Sequence, residues 1–417
     1  MKLIRIAACA VALACMPQLA AAATEIVFWN NFKVDKSPRG QALTDIVAKF
    51  EANNPDIKVR VEVAPFATVD ANLIQGAAAG NTPDVVKIYN VALSLHVAAG
   101  SIQPLDPYLG KMDKTDWLLP WDTTVFDGKK YALPYEYRFF ALQYRKDILD
   151  KAGVQVPTTW DEVCTAAGKI NSPQVMGYGF GLSQAQAASI LLEWADDMAL
   201  AAGGSWLDAK GRAIPNNPAG LKFMQTVADL VGKCKASSQA VVGYTYEAVH
   251  QGLAGGTIAM AGMGTHRYEA LRAAGAKDNL RWAPPPSFEK GKPAPVHVLG
   301  WNLVMGKHTK HPQEAMRFME YMMSPEVQVA VARAGEMPTR KSTYDDAWFK
   351  TPEAGAMRDW AQYIARNGKA GQYPAGWLGF GQILASETQA IVLKGLAPAQ
   401  ALANVVERYN KAQAEGK

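Results

Sequence analysis

The strongest constraint on the fold is a regular succession of apolar runs and helical repeats that begins at Thr24. Residues 25–29 are an apolar run, residues 40–52 repeat apolar side chains at Leu43, Ile46, Val47 and Phe50, and residues 57–63, IKVRVEV, alternate strictly. The outer two read as strands and the middle one as an amphipathic helix, since side chains share a face every second residue along a strand and every third or fourth along a helix. A helix over 68–79, a strand over 84–89 and a helix over 92–99 continue the series. Such alternation predicts a parallel α/β sheet, and ligands of such sheets gather where the strands end. Asn30 and Asn31 follow the first strand, and Tyr89 and Asn90 the third.

A second series starts at residue 160. It comprises a helix over 160–170 capped by Thr158 or Thr159, a Gly-broken strand over 177–182, helices over 185–202, 220–233 and 246–254, and a strand over 257–260 that runs into Gly262-Met263-Gly264-Thr265-His266. Between the two series lies the stretch 127–154, DGKKYALPYEYRFFALQYRKDILDKAGV. Asp127-Gly128 favours a tight turn, residues 131–134 read as a short strand that Pro134 stops, and residues 139–144 read as another. Glu136 and Arg138 put opposite charges beside Tyr135 and Tyr137 in this apolar run, where burial demands partners. The stretch reads either as a solvated loop or as a hinge between units. Pro284-Pro285-Pro286 marks a second crossing and residues 344–348 a third, after which the chain is helical by period apart from the loop 371–377 around Trp377.

At 417 residues, with 49% apolar and 19% charged residues, the chain is globular and divides into two or three units. Residues 1–23 read as a secretory signal, with Lys2 and Arg5 before an apolar middle and Ala21-Ala22-Ala23 at the cleavage site; lipoprotein processing at Cys15 is the competing reading. The net charge of +5, to which Lys2 and Arg5 contribute two, and the lack of any basic run argue against nucleic acid and membrane-surface partners. Cys9 and Cys15 leave with the signal, so Cys164 and Cys234 remain as an even pair in an oxidising compartment, and spacing leaves open whether their helices touch.

Catalytic and metal motifs are missing: there is no nucleophile elbow, no His-Glu-x-x-His, no phosphate-binding loop and no Cys-x-x-Cys. His308 and His311 read as a loop before a helix that opens at Pro312, and Asp196-Asp197 and Asp345-Asp346 as surface pairs. No cofactor and no metal are expected. Aromatic residues instead stand at strand and loop ends: Trp29, Tyr89, Tyr137, Trp301 and Trp377, interleaved with Asn30, Asn31, Asn90, Glu136, Arg138 and Arg340. Rings that stack on a pyranose face, beside amides, carboxylates and guanidinium forks that reach its hydroxyls, are what sugar recognition requires. Trp29 is expected in the core and Trp377 in an open loop.

The order of motifs resembles the extracellular solute-binding proteins of ABC importers, the family that includes maltose-binding protein. The matching pieces are EIVFWNNF, GNTPDVVKIYN, AAGSIQPLDPYL, the hinge stretch continued to TTWDEV, GTIAMAGMG, LGWNLVMGKHTKHPQEAMRFMEYMMSPEVQ and GEMPTRKSTYDD. The resemblance implies a type II periplasmic-binding fold of two discontinuous α/β lobes, 24–134 plus 287–344 and 135–286 plus 345–417. It implies a non-enzymatic, monomeric periplasmic receptor that passes a sugar, oligosaccharide or polyol to a membrane permease. Both Cys164 and Cys234 then fall in the second lobe, which favours a disulfide. The cleft residues it implies are Asn30, Asn31, Tyr89, Asn90, Glu136, Arg138, Met263, Gly264, Gly300, Trp301 and Trp377. Glu336 and Gly264-Thr265 depart from common family patterns, and a carboxylate at Glu336 favours hydroxyls or a cation over a phosphate. A secreted glycan hydrolase acting through Glu136, and receptors for polyol phosphate, amine or ferric ion, are the alternatives.

Overall fold

The computed structural model describes residues 22–110, 115–184, 191–276 and 278–415. Nearly all of the signal read at 1–23, with Cys9 and Cys15, lies outside them. The first series folds as β1 (Thr24–Asn30), α1 (Pro38–Asn53), β2 (Ile57–Val63), α2 (Val69–Ala78), β3 (Val85–Tyr89), α3 (Leu93–Ala98) and β4 (Ile102–Gln103). β1 pairs in parallel with both β2 and β3, as the alternation predicts. α1 begins where the Ser37 side chain accepts the Gly40 N–H and Pro38 takes the first position, which lacks an intrahelical donor partner in any case. Leu43, Ile46 and Phe50 form its buried stripe.

The hairpin β5 (Val125–Phe126) and β6 (Lys129–Lys130) turns at Asp127 and Gly128, whose φ values of 48° and 73° are those of a type I′ turn. Lys130 is buried. β7 (Ala132–Arg138) follows and does not stop at Pro134. Pro134 lies opposite Asn302, and a bulge between Trp301 and Asn302 absorbs the irregularity next to the missing donor. The chain passes through fully buried Phe139 into β8 (Phe140–Arg145), which belongs to a different sheet. This direct change of sheet selects the hinge reading over the solvated loop.

The second series is α4 (Lys146–Ala152), α5 (Trp160–Ile170), β9 (Met176–Gly179), α6 (Leu192–Ala201), α7 (Pro218–Val231), α8 (Tyr246–Gly255), β10 (Ile258–Gly264), α9 (Tyr268–Leu271) and β11 (Leu280–Ala283). Its sheet has the order β11-β8-β10-β9. Thr159 caps α5 by accepting the Glu162 N–H. The three prolines at 284–286 are not the return crossing. Ser287 still bridges to Thr159, and Phe288 packs on Trp160 with ring centroids 6.4 Å apart. β12 (Val296–His297) pairs with the later β15 (Gly368–Lys369), and the change of sheet comes at Val298, before β13 (Leu299–Gly306).

β13, α10 (Pro312–Met322), α11 (Pro325–Arg333) and β14 (Met337–Pro338) complete the first lobe, whose sheet runs β14-β7-β13-β3-β1-β2 with β4 beside β13. A third crossing follows, as expected near 344–348: Ser342 still bonds Asp116, while Trp348 and Phe349 enter the second core. α12 (Gly355–Asn367), β15, α13 (Trp377–Lys394) and α14 (Pro398–Ala414) then pack on the second lobe. Among the described residues no helix is long and apolar enough to cross a membrane.

Cys164 in α5 and Cys234 just past α7 form a disulfide with Cα atoms 5.2 Å apart, closing a separation of 70 residues. A loop of that length constrains the unfolded chain by about 4 kcal/mol. The Cys164→Ser/Cys234→Ser variant should therefore unfold at a distinctly lower urea concentration, read by tryptophan fluorescence. The same downward shift should follow reduction of the native protein.

Candidate functional site

Strand register assembles the site. β13 lies between β3 and β7, so that Trp301 faces Tyr89 on one side and Glu136 on the other, and Pro338 of β14 sits beyond Glu136. Residues opposite one another across strands share a face. Gly300 makes this packing feasible, because a Cβ there would lie 1.9 Å from the Glu136 carbonyl oxygen. Its N–H donates to Asn90 Oδ1 at 3.2 Å.

Below this row lies a buried ion network. Lys87 Nζ stands 3.2 Å from Glu136 Oε2 and 3.5 Å from Glu336 Oε2, and Arg39 pairs with Glu336 Oε1. Lys87 also faces the rings of Tyr135, Phe32 and Trp301 at 4.6, 5.1 and 5.6 Å. Burial, with Glu336 adjacent, raises the Glu136 carboxyl. Burial pushes Glu336 the same way, but Arg39 and Lys87 outweigh it and hold that carboxyl low. Glu336 is thus consumed by two cations of its own lobe, which removes the argument that it disfavours a phosphate.

The opposite wall comes from the second lobe. Tyr89 donates its hydroxyl to Glu193 Oε1 of α6 at 2.5 Å. Arg138, at the end of β7, lies over the Tyr89 ring at 4.4 Å and 3.9 Å from Glu193. The Gly264 N–H donates to the Tyr246 hydroxyl at 2.9 Å, and the His266 ring stacks on Tyr246 at 6.2 Å. Burial, then the charges of Arg138, Arg39 and Arg267, push His266 well below its ordinary range, so its ring is neutral. Phe66, 44% exposed, stands edge-on to both Tyr89 and Trp301 at 5.8 Å. Asn30 turns its amide back to the Phe32 carbonyl, while Asn31 Oδ1, Glu136 Oε1, Arg138 Nε, Thr265 Oγ1 and Arg267 Nε are buried without a hydrogen-bond partner among the described residues.

Tyr89, Asn90, Glu136, Arg138, Gly300, Trp301 and Glu336 of the expected set are therefore brought together, with Asn30, Asn31 and Gly264 beside them. Met263 is not: its side chain is fully buried in the second-lobe core, because β10 points it away from the interlobe face. Arg340 is also elsewhere, clamped to Asp116 at 2.7 Å and to the Met323 carbonyl at 3.3 Å. Trp377 is not in an open loop. It is the first residue of α13, 5% exposed, and stacks on Phe380 one helical turn on at 5.6 Å. Its ring meets that of Tyr373, with centroids 5.1 Å apart, and the Tyr373 carbonyl accepts from Ser94 of the first lobe. Trp29 is half-buried, its indole N–H donating to Glu62 at 2.8 Å.

Asp196-Asp197 is no surface pair. Both carboxylates are buried, because α6 packs on β12 and His297 bridges to them, Nδ1 lying 2.9 Å from Asp196 and its backbone N–H 2.7 Å from Asp197. Asp345 and Asp346 are exposed, as expected. Arg39, Lys87, Glu193 and Phe66 were missed by the sequence reading. Lys87 carried a signal like the one that singled out Glu136, a charge inside an apolar run (VVKIY), whereas Glu193 opens an acidic stretch (LLEWADDM). Arg39 and Phe66 carried none.

The model of the bacterial extracellular solute-binding protein family matches residues 35–329, and the chain belongs to that family. Among individual relatives, a binding protein of Brucella abortus is 34% identical over 145 residues, 34% of this chain and 35% of that protein. The sn-glycerol-3-phosphate-binding periplasmic protein UgpB of Pectobacterium atrosepticum is 29% identical over 197 residues, 43% of this chain and 42% of that protein. Each match thus spans less than half of the relative's length. Solved structures are similar over almost the whole chain. The GacH receptor of Streptomyces glaucescens, determined unliganded and with acarbose, has a TM-score of 0.78 at 25% identity over 94% of this chain and 98% of that one. An ABC transporter solute-binding protein of Thermotoga lettingae, bound to α-D-tagatose, has a TM-score of 0.80 at 23% identity over 93% and 99%. The fold is thus the two-lobed α/β fold of periplasmic binding proteins.

Burial between the lobes raises the Glu193 carboxyl from its ordinary 4.5 to about 7, against the pull of Arg138 and of the Tyr89 hydroxyl. A carboxyl raised on closing takes up a proton in the closed form, so closure gains at low pH and loses as pH rises from about 4.5 to about 7. Small-angle scattering of the unliganded protein should show a larger radius of gyration at pH 8 than at pH 5. Glu193→Gln should flatten that dependence.

Proposed function

We propose that this protein is the periplasmic receptor of an ABC importer, binding a carbohydrate- or polyol-type solute between its lobes without chemically changing it. The observation that carries this is the row Tyr89, Trp301 and Glu136, flanked by Phe66 and by buried polar atoms that have no hydrogen-bond partner among the described residues. Aromatic faces suit the C–H faces of a sugar ring, and unpartnered acceptors and donors suit its hydroxyls. The neighbours that hold acarbose and tagatose, and the glycerol-phosphate-binding relative, support the same class of solute.

In this reading the first lobe is built on the first sheet and the second on the other, with Phe139, Val298 and Tyr344 as the turning points of the three crossings. The lobes rotate about these segments, and the closed form is what a membrane permease distinguishes. A folded chain of this kind works as a monomer, outside the inner membrane.

The test is a panel of sugars, oligosaccharides and polyols added to refolded protein, read by melting temperature and tryptophan fluorescence. At least one should raise the melting temperature, since a ligand that binds only the native state must. A panel that leaves every reading unmoved would remove the proposal. Phe66→Ala should weaken the solute that binds by about tenfold, the loss of one stacked ring. Because Phe66 is 44% exposed, the same change should alter unliganded stability by less than about 1 kcal/mol.

A further inference from the structure

The charges of the interlobe face are not evenly matched. Arg39 and Lys87 are met by Glu336 and Glu136 within the first lobe. Arg138 and Arg267 are not met in the same way. Arg138 is only 7% exposed, yet its nearest carboxylate, Glu193, stands at 3.9 Å and gives its short contact to Tyr89 instead. Arg267 has Glu247 at 3.4 Å, and that carboxylate is 46% exposed to water. The Nε atoms of both arginines are buried without a hydrogen-bond partner, as is Oγ1 of Thr265, a residue only 2% exposed.

Strand pairing brings their segments together: Gly264 lies opposite Phe140, and the Thr265 N–H donates at 3.0 Å to the carbonyl of Phe139, the residue after Arg138. The charges of Arg138 and Arg267 both act on the Tyr246 hydroxyl and on the His266 ring. Arg267 lies 5.3 Å over the Tyr246 ring. A guanidinium donates hydrogen bonds and accepts none, so what completes this corner is an acceptor, and a charged one offsets one buried and one partly buried cation. The other end of the cleft is of opposite character, for the unpartnered atoms there, Asn31 Oδ1 and Glu136 Oε1, are acceptors suited to hydroxyl groups.

We propose that the solute is an acidic sugar or polyol, whose carboxylate or phosphate sits between Arg138 and Arg267 with Thr265 while its hydroxyls reach Glu136 and Asn31. This rests on the receptor reading and names its substrate class.

Calorimetric titration of the full, refolded protein should compare D-galacturonate, D-glucuronate, glucose 6-phosphate and glycerol 3-phosphate with galactose, glucose, maltose and glycerol. At least one acid should bind at least about tenfold more tightly than its neutral counterpart, the worth of a charge-assisted hydrogen bond. Whether the carboxylates or the phosphates respond tells which group the corner takes. Arg267→Met should abolish that preference. Arg267 is one-third exposed, so this variant tests the corner even where the buried Arg138→Gln fails to fold. Neutral sugars binding as tightly as the acids, or an unchanged preference in Arg267→Met, would overturn the acidic solute and leave the receptor standing. If neither acids nor neutral sugars bind, the receptor reading falls with it.

Discussion

A buried lysine governs the first lobe. Lys87 sits in the strand next to the middle of the sheet with 1% of its side chain exposed, and a buried charge is tolerated only with close partners of opposite sign. Those partners come from two places in the chain, Glu136 on β7 and Glu336 just before β14, and a second cation, Arg39 on α1, shares Glu336. Removing one member of such a set typically costs about 3–5 kcal/mol, because another charge is left unpaired. The network therefore fixes β7 and the segment before β14 against β3, and with them the row Tyr89, Trp301 and Glu136.

The strand that contributes Glu136 to this row also carries the hinge. β7 leaves the first sheet at Arg138, Phe139 is buried at the turning point, and β8 enters the second sheet without a loop. Glu136 and Arg138, two residues apart, point to one face of the strand. Lobe movement and solute contact are thus mechanically adjacent. A change at Arg138 that alters its approach to Glu193 of α6 alters a contact between the lobes.

Local pattern accounts for the elements that the sequence displayed well. IKVRVEV is β2 at the expected bounds, Asp127-Gly128 turns a hairpin, and Thr159 caps α5. These depend on neighbours within a few residues. Positions were misjudged where a distant partner decides. Pro134 continues a strand because β13 bulges opposite it, and Asp196-Asp197 is buried because His297 arrives from a segment 100 residues away. The site divided along the same line. Charges in apolar runs were visible, but that Lys87 pairs with Glu136 and Glu193 with Tyr89 was not, since those contacts join residues 49 and 104 apart.

By itself the sequence determined the α/β class, two series of elements joined by crossings, the family, and a cleft at the strand ends. Periodicity and turn chemistry are local, and they survive without knowledge of the fold. The tertiary structure alone decided where each crossing falls, that Met263 and Arg340 lie away from the cleft, and which cations retain unmatched edges. Pairing energy belongs to groups brought together across the folded chain, and no spacing along one strand or helix reports it.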